Sequence, residues 1–198
     1  MMDSILMPGA KKALPFSGFL KLGPKRYRLK ADSDGAGLKL QSRELDIKTG
    51  TIKLDWKGPA TAKPKHVIFR EGGEFTGAYF DLMSNEKGVE VPAGEYEFFY
   101  GIFRNGKGKQ VQKFAIVPGK ESKKIKVDPG ATVTVTMGAP FTFAFKSTQD
   151  GSDVNVTGKS VEIFGSAGEH YVMLSDETRS PRSSGANPAP RPAPTSAR

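Results

Sequence analysis

Cysteine is absent from the 198 residues. Its absence excludes a disulfide framework, a thiol nucleophile and Cys-ligated zinc. Histidine occurs only twice, and tryptophan once. Uninterrupted stretches are also scarce. The chain carries 23 Gly and 14 Pro, and the longest runs free of both, Leu38–Thr49 and Glu169–Ser180, span 12 residues. Long helices are thereby excluded, because Pro breaks helix interiors and Gly weakens them. No apolar run approaches the ~20 residues of a membrane-spanning helix. The N-terminus does not read as a signal peptide: Ile5, Leu6 and Met7 stop at Pro8-Gly9, and Lys11 and Lys12 follow the apolar residues instead of preceding them.

What is present is alternation. Hydrophobic residues make up 37% of the chain, enough to bury a core in one domain or two small ones. Period-2 patterning marks half-buried strands, because successive side chains point to opposite faces. In Thr132–Met137 the apolar set is Val133, Val135 and Met137, with threonines between. Thr51–Trp56 aligns Ile52, Leu54 and Trp56, and Phe141–Lys146 aligns three phenylalanines. The longest candidate, Glu95–Arg104, places Tyr96, Phe98, Tyr100 and Ile102 on one face and Phe99 and Phe103 on the other. Its expected partner is Lys109–Val117 across an Asn105-Gly106 hairpin. A slip of apolar phase between Val111 and Phe114 points to a β-bulge there. Ala78–Lys87 has room for one short helical turn. Turn signals recur along the chain, which predicts an antiparallel sandwich or barrel and not a βαβ protein.

The segment His66–Gly138 has a grammar of its own. A Gly-rich turn follows strand His66–Arg70; Val89-Glu90-Val91-Pro92-Ala93-Gly94-Glu95-Tyr96 leads into the long strand; Pro129-Gly130-Ala131-Thr132-Val133-Thr134-Val135 closes the block. It resembles the bacterial PEGA and carboxypeptidase-regulatory-like modules, small prealbumin-like β-sandwiches, although the Pro-Glu-Gly-Ala signature is missing. The resemblance implies an extracytoplasmic accessory or structural module without catalysis.

The expected organisation is an N-terminal extension (1–23), an N-terminal β segment (24–65), a prealbumin-like sandwich (66–138) and a C-terminal β segment (139–178) that packs with 24–65 or with the middle block. A Pro-, Ala- and Arg-rich tail (179–198) has nothing large to bury and reads as disordered. The fold class expected is all-β, with antiparallel Ig-like or prealbumin-like sandwiches.

Candidate chemistry is sparse. Glu169-His170 could pair a base with its orienter, but no Gly-x-Ser-x-Gly elbow accompanies it. Asp32-Ser33-Asp34-Gly35 and 149–153 read as turns, lacking the further ligands of a calcium loop. Gly106-Lys107-Gly108-Lys109 lacks the Ser/Thr and helix of a phosphate loop. Asn155-Val156-Thr157 is a glycosylation sequon but falls inside an expected strand. Tyr96, Phe98, Phe99, Tyr100 and Phe103 could stack on sugars or bases, and Trp56, beside Lys57-Gly58-Pro59, could contact a ligand, but both read first as core. The chain is therefore expected to be no enzyme and to need no cofactor or metal.

The net charge of +9 is unevenly placed. Residues 1–70 hold 15 Lys/Arg against 6 Asp/Glu, residues 71–178 hold 11 against 15, and residues 179–198 hold 4 against none. The densest cluster, Lys25-Arg26-Tyr27-Arg28-Leu29-Lys30, puts Arg26, Arg28 and Lys30 on one strand face. Two functions follow as expectations. One is a non-catalytic structural or accessory protein of the bacterial cell envelope or secreted fraction, with other envelope proteins as partners. The other is binding of an anionic polysaccharide or nucleic acid through Lys25, Arg26, Arg28 and Lys30.

Overall fold

The alternating segments pair as strands in a computed structural model that describes residues 4–5, 14–15, 17–33, 38–59, 62–75, 77–105 and 112–174. In chain order the strands are β1 Ser4–Ile5, β2 Leu14–Pro15, β3 Phe19–Leu22, β4 Lys25–Ser33, β5 Leu38–Leu45, β6 Thr49–Lys57, β7 Pro64–Glu71, β8 Tyr79–Asp81 and β9 Val89–Pro92. There follow β10 Gly94–Asn105, β11 Gln112–Pro118, β12 Ile125–Val127, β13 Thr132–Gly138, β14 Thr142–Ala144, β15 Ser147–Asp150, β16 Asp153–Val156, β17 Glu162–Phe164 and β18 Glu169–Leu174. Two 3-10 turns, Leu82–Ser84 and Gly158–Ser160, are the only helical elements among the described residues. The protein is all-β, as its patterning predicts. The tail 179–198, the turn residues 34–37 and the hairpin residues 106–111 lie outside the described residues.

The largest sheet runs β14-β17-β18-β11-β10-β7-β8, with β12 beside the start of β10. A three-stranded sheet runs β13-β6-β9, and another runs β3-β4-β5. The largest sheet and the β13-β6-β9 sheet contribute to one core: Val67, Phe69, Tyr96, Phe98, Ile116 and Tyr171 from the first, Ile52, Val91, Val135 and Met137 from the second. Pairing is antiparallel except between β6 and β13, which run parallel with Ile52 beside Val133, Leu54 beside Val135 and Trp56 beside Met137. The two alternations thus merge into one apolar face. Ile52 and Met137 are fully buried, each worth about 1.5–3 kcal/mol of hydrophobic stabilisation over exposure.

Strand β10 departs from simple alternation. Phe98 pairs with Phe69 and Tyr100 with Ile68, so Phe99 is an extra residue; a second shift, between Ile102 and Phe103, follows on β7. A bulge turns the following side chains over. Tyr96 and Phe98 are therefore buried, whereas Tyr100 and Ile102 are half-buried and do not continue their row. Phe103 instead faces Trp56 and Tyr171, with ring centroids 6.5 and 5.7 Å away. Phe99 meets Tyr79 and Arg70. The described ladder of β10 with β11 is continuous from Gly101–Ile116 to Asn105–Gln112, so the irregularity of β10 lies on its β7 side.

The strands cross the segment limits read from the sequence. β6, within 24–65, pairs with β9 and β13, within 66–138. β18, within 139–178, pairs along β11. The β3-β4-β5 sheet joins the body through Gly18 N–H to Gly77 C=O (2.9 Å) and Tyr79 N–H to Ser17 Oγ (2.9 Å). Phe19 is buried against Phe80.

Candidate functional site

The basic strand foreseen in the sequence is β4, and its partners decide which of its cations are free. Along β4 the side chains of Arg26, Arg28 and Lys30 share a face, and the antiparallel register sets them beside Leu45, Arg43 and Gln41 of β5. Arg26 is engaged: its Nε donates to Glu90 Oε1 over 2.8 Å, and its Nη2 bonds the same oxygen. Lys21 Nζ holds the other oxygen of Glu90 at 2.7 Å. The Lys21 hydrogen bond, followed by that of Arg26, keeps the Glu90 carboxyl below its usual range against an opposing push from burial. Lys25 is engaged too. Its ammonium lies 2.9 Å from Glu44, whose carboxylate raises its pKa.

Arg28 and Lys30 remain open. The Arg28 guanidinium lies 6.0 Å from the Phe75 ring centroid, and its Nη2 reaches Glu74 C=O at 3.4 Å. Among the described residues no carboxylate pairs with Arg28, Lys30 or Arg43. These three, with Gly18, Gln41 and Phe75, line a hollow of about 450 Å³. Arg28 and Arg43 stand directly opposite each other, an arrangement that destabilises a sheet. Three uncompensated cations with an amide and an aromatic ring can receive phosphate, sulfate or carboxylate groups.

The foreseen quartet is thus divided. Arg28 and Lys30 reach the hollow, whereas Lys25 and Arg26 are held by acids. Arg43 was not foreseen. Only a hairpin register centred on 34–37 would have brought it opposite Arg28.

The other candidates are structural in their contacts. His66 Nδ1 lies 2.7 Å from Asp81 Oδ2, and Asp81 Oδ1 accepts from the amides of Val67 and Met83, both at 3.1 Å. Glu169 is fully buried. It accepts from Gly138 N–H (2.7 Å), Ala167 N–H (2.9 Å) and Tyr171 O–H (2.7 Å). His170 stacks on Phe164 with ring centroids 4.8 Å apart, and its Nε2 lies 4.0 Å from Glu162. Ser122 Oγ donates to Gly168 C=O and accepts from Gly119 N–H. Glu71 is buried and accepts from the amides of Gly73 and Phe75. Trp56 packs against Phe103 and Tyr171, and its buried Nε1 has no hydrogen-bond partner. Asp150 and Asp153 close the β15–β16 hairpin, and Asn155 pairs with Thr148 within it. Among the described residues there is no group of three or more metal-ligating side chains, and no helix is long and apolar enough to cross a membrane. The Gly106–Lys109 segment lies outside the described residues.

No family model, no curated protein and no solved structure matches the chain.

Proposed function

We propose that this chain is a non-catalytic structural or accessory protein of the bacterial cell envelope or secreted fraction, built on an Ig-like or prealbumin-like β-sandwich. The observation that carries this reading is how the acid–base groups are engaged. Glu71, Asp81 and Glu169 each accept backbone amides that fix a turn or a strand end. The hydroxyl of Ser122 bonds the backbone and not an imidazole. Nucleophilic catalysis needs a nucleophile within hydrogen-bond reach of its base. The turn grammar of 66–138 supports the sandwich assignment. Chromogenic ester, glycoside and phosphate substrates test the reading on the purified chain, with no turnover expected. Turnover abolished by His170→Ala would overturn it.

A second reading, contact with an anionic polymer, is favoured by the opposed pair Arg28 and Arg43. Two like charges held face to face are stabilised by an anion placed between them. Retention on heparin should fall with salt, and replacing Arg28, Lys30 and Arg43 together by Gln should cut the salt slope by about 3. Replacing Lys25 and Arg26, which already have acidic partners, should matter less. Equal retention of the triple variant and the parent would remove this reading.

A further inference from the structure

The three-stranded sheet ends at β13, and the backbone shows which groups of that strand are unused. Ala131 C=O accepts from Thr51 N–H, and Ala139 N–H donates to Lys57 C=O. In a parallel ladder this assigns the odd residues 131–139 to β6 and turns the backbone of Thr132, Thr134, Thr136 and Gly138 away from it. Gly138 is satisfied, since its N–H reaches Glu169 and its C=O accepts from Ser166 N–H. Ser166 Oγ approaches Thr136 C=O at 3.4 Å. Among the described residues no strand pairs with the edge from Thr132 to the Thr136 N–H.

Exposed edges are ordinarily guarded by charge, proline or brevity. β13 has none of these guards: it is seven residues long and reads Thr-Val-Thr-Val-Thr-Met-Gly. The opposite edge, β9, carries the Glu90 ion pairs and Pro92. Beside β13 lies a cleft of about 880 Å³. It is lined by Thr134–Met137 of β13, by the buried Phe69 and Phe98 and the half-buried Ile125, and by residues 118–123 and 164–170. A cleft lined both by the strand edge and by 118–123 and 164–170 admits one extended segment more readily than a second folded body.

We propose that this cleft is a β-augmentation site. It takes an extended peptide segment of another protein, about five residues long, which pairs with Thr132–Thr136. Alternate side chains of the peptide are apolar and point toward Phe98 and Ile125. The intervening ones are small and polar, beside the exposed threonines, because cross-strand Thr–Thr pairs are favourable. The proposal is independent of the basic hollow, which lies on the β3-β4-β5 sheet.

The core Thr132-Val133-Thr134-Val135-Thr136 reads the same in both directions, so a peptide of this sequence places Thr opposite Thr in antiparallel pairing. The probe is therefore acetyl-Lys-Thr-Val-Thr-Val-Thr-Lys-amide, fluorescently labelled and titrated into the full chain. Saturable binding is expected, with slowed hydrogen exchange at the amides of Thr132, Thr134 and Thr136. Thr134→Pro removes an outward N–H without touching the β6 ladder, so the variant should fold while weakening the peptide by at least about tenfold. Binding that is absent at millimolar peptide, or equal in parent and folded Thr134→Pro, overturns the proposal. A concentration-dependent dimer that Thr134→Pro abolishes would seat a second copy on this edge and also overturn it.

Discussion

The phenol of Tyr171 donates to Oε1 of Glu169 over 2.7 Å, and both side chains are buried. They stand two residues apart on β18 and so share a face. The same carboxylate holds Gly138 at the end of β13 and Ala167 in the β17–β18 turn. One acidic side chain therefore ties the largest sheet to the β13-β6-β9 sheet.

Glu169→Ala should strongly destabilise the fold. It leaves two buried donors and one half-buried donor without an acceptor, and each orphaned buried group costs about 1–3 kcal/mol. A loss of about 3 kcal/mol or more is expected in urea unfolding. Glu169→Gln keeps one acceptor oxygen and should lose less.

Alkali should unfold the protein through Tyr171 and Tyr96. Burial pushes both phenols above their ordinary 10.0, reinforced at Tyr171 by its bond to Glu169 and at Tyr96 by the charge of Glu71. The folded state then holds protons that the unfolded state has released. Stability is retained below pH 10 and falls above it by about 1.4 kcal/mol per pH unit for each tyrosine. Urea midpoints at successive pH values should show this slope, and Tyr171→Phe should make it shallower.

Glu90→Gln should cost about 0.5–1 kcal/mol at pH 7 by releasing Lys21 and Arg26. The Glu90 pKa is lowered in the fold, so its contribution is present above the ordinary 4.5 and disappears as the carboxyl protonates at lower pH. Melting temperatures of parent and variant should converge in acid. If they differ as much at pH 3 as at pH 7, the ion pairs are not the cause.

Gly50→Ala should destabilise by about 1–3 kcal/mol through overpacking. A Cβ at Gly50 would lie 2.5 Å from Val127 Cγ1 and 2.8 Å from the carbonyl oxygens of Asp128 and Ala131. This is where β6 passes under the β12–β13 turn. Thermal unfolding measures the loss.

Much of the fold was legible in local pattern. The alternations of Thr51–Trp56 and Thr132–Met137 marked both strands and their buried faces, because a half-buried strand writes its environment at every second residue. The row Tyr96, Phe98, Tyr100, Ile102 was misread for a related reason. The Phe99 bulge is set by pairing with β7, and no residue type announces it. The parallel union of β6 with β13 joins positions about 80 residues apart, beyond the reach of any local signal.

The sequence by itself determined an all-β protein without cysteine chemistry, whose positive charge lies outside the middle block. Composition and alternation are properties of single segments, and no later contact can alter them. Tertiary structure alone decided which cations are free. Arg26 and Arg28 sit two residues apart on one face, yet one meets Glu90 from a distant strand and the other faces Arg43. Whether a charge is neutralised or left open to a ligand depends on what the fold places near it, because salt largely screens exposed charges more than about 8–10 Å apart.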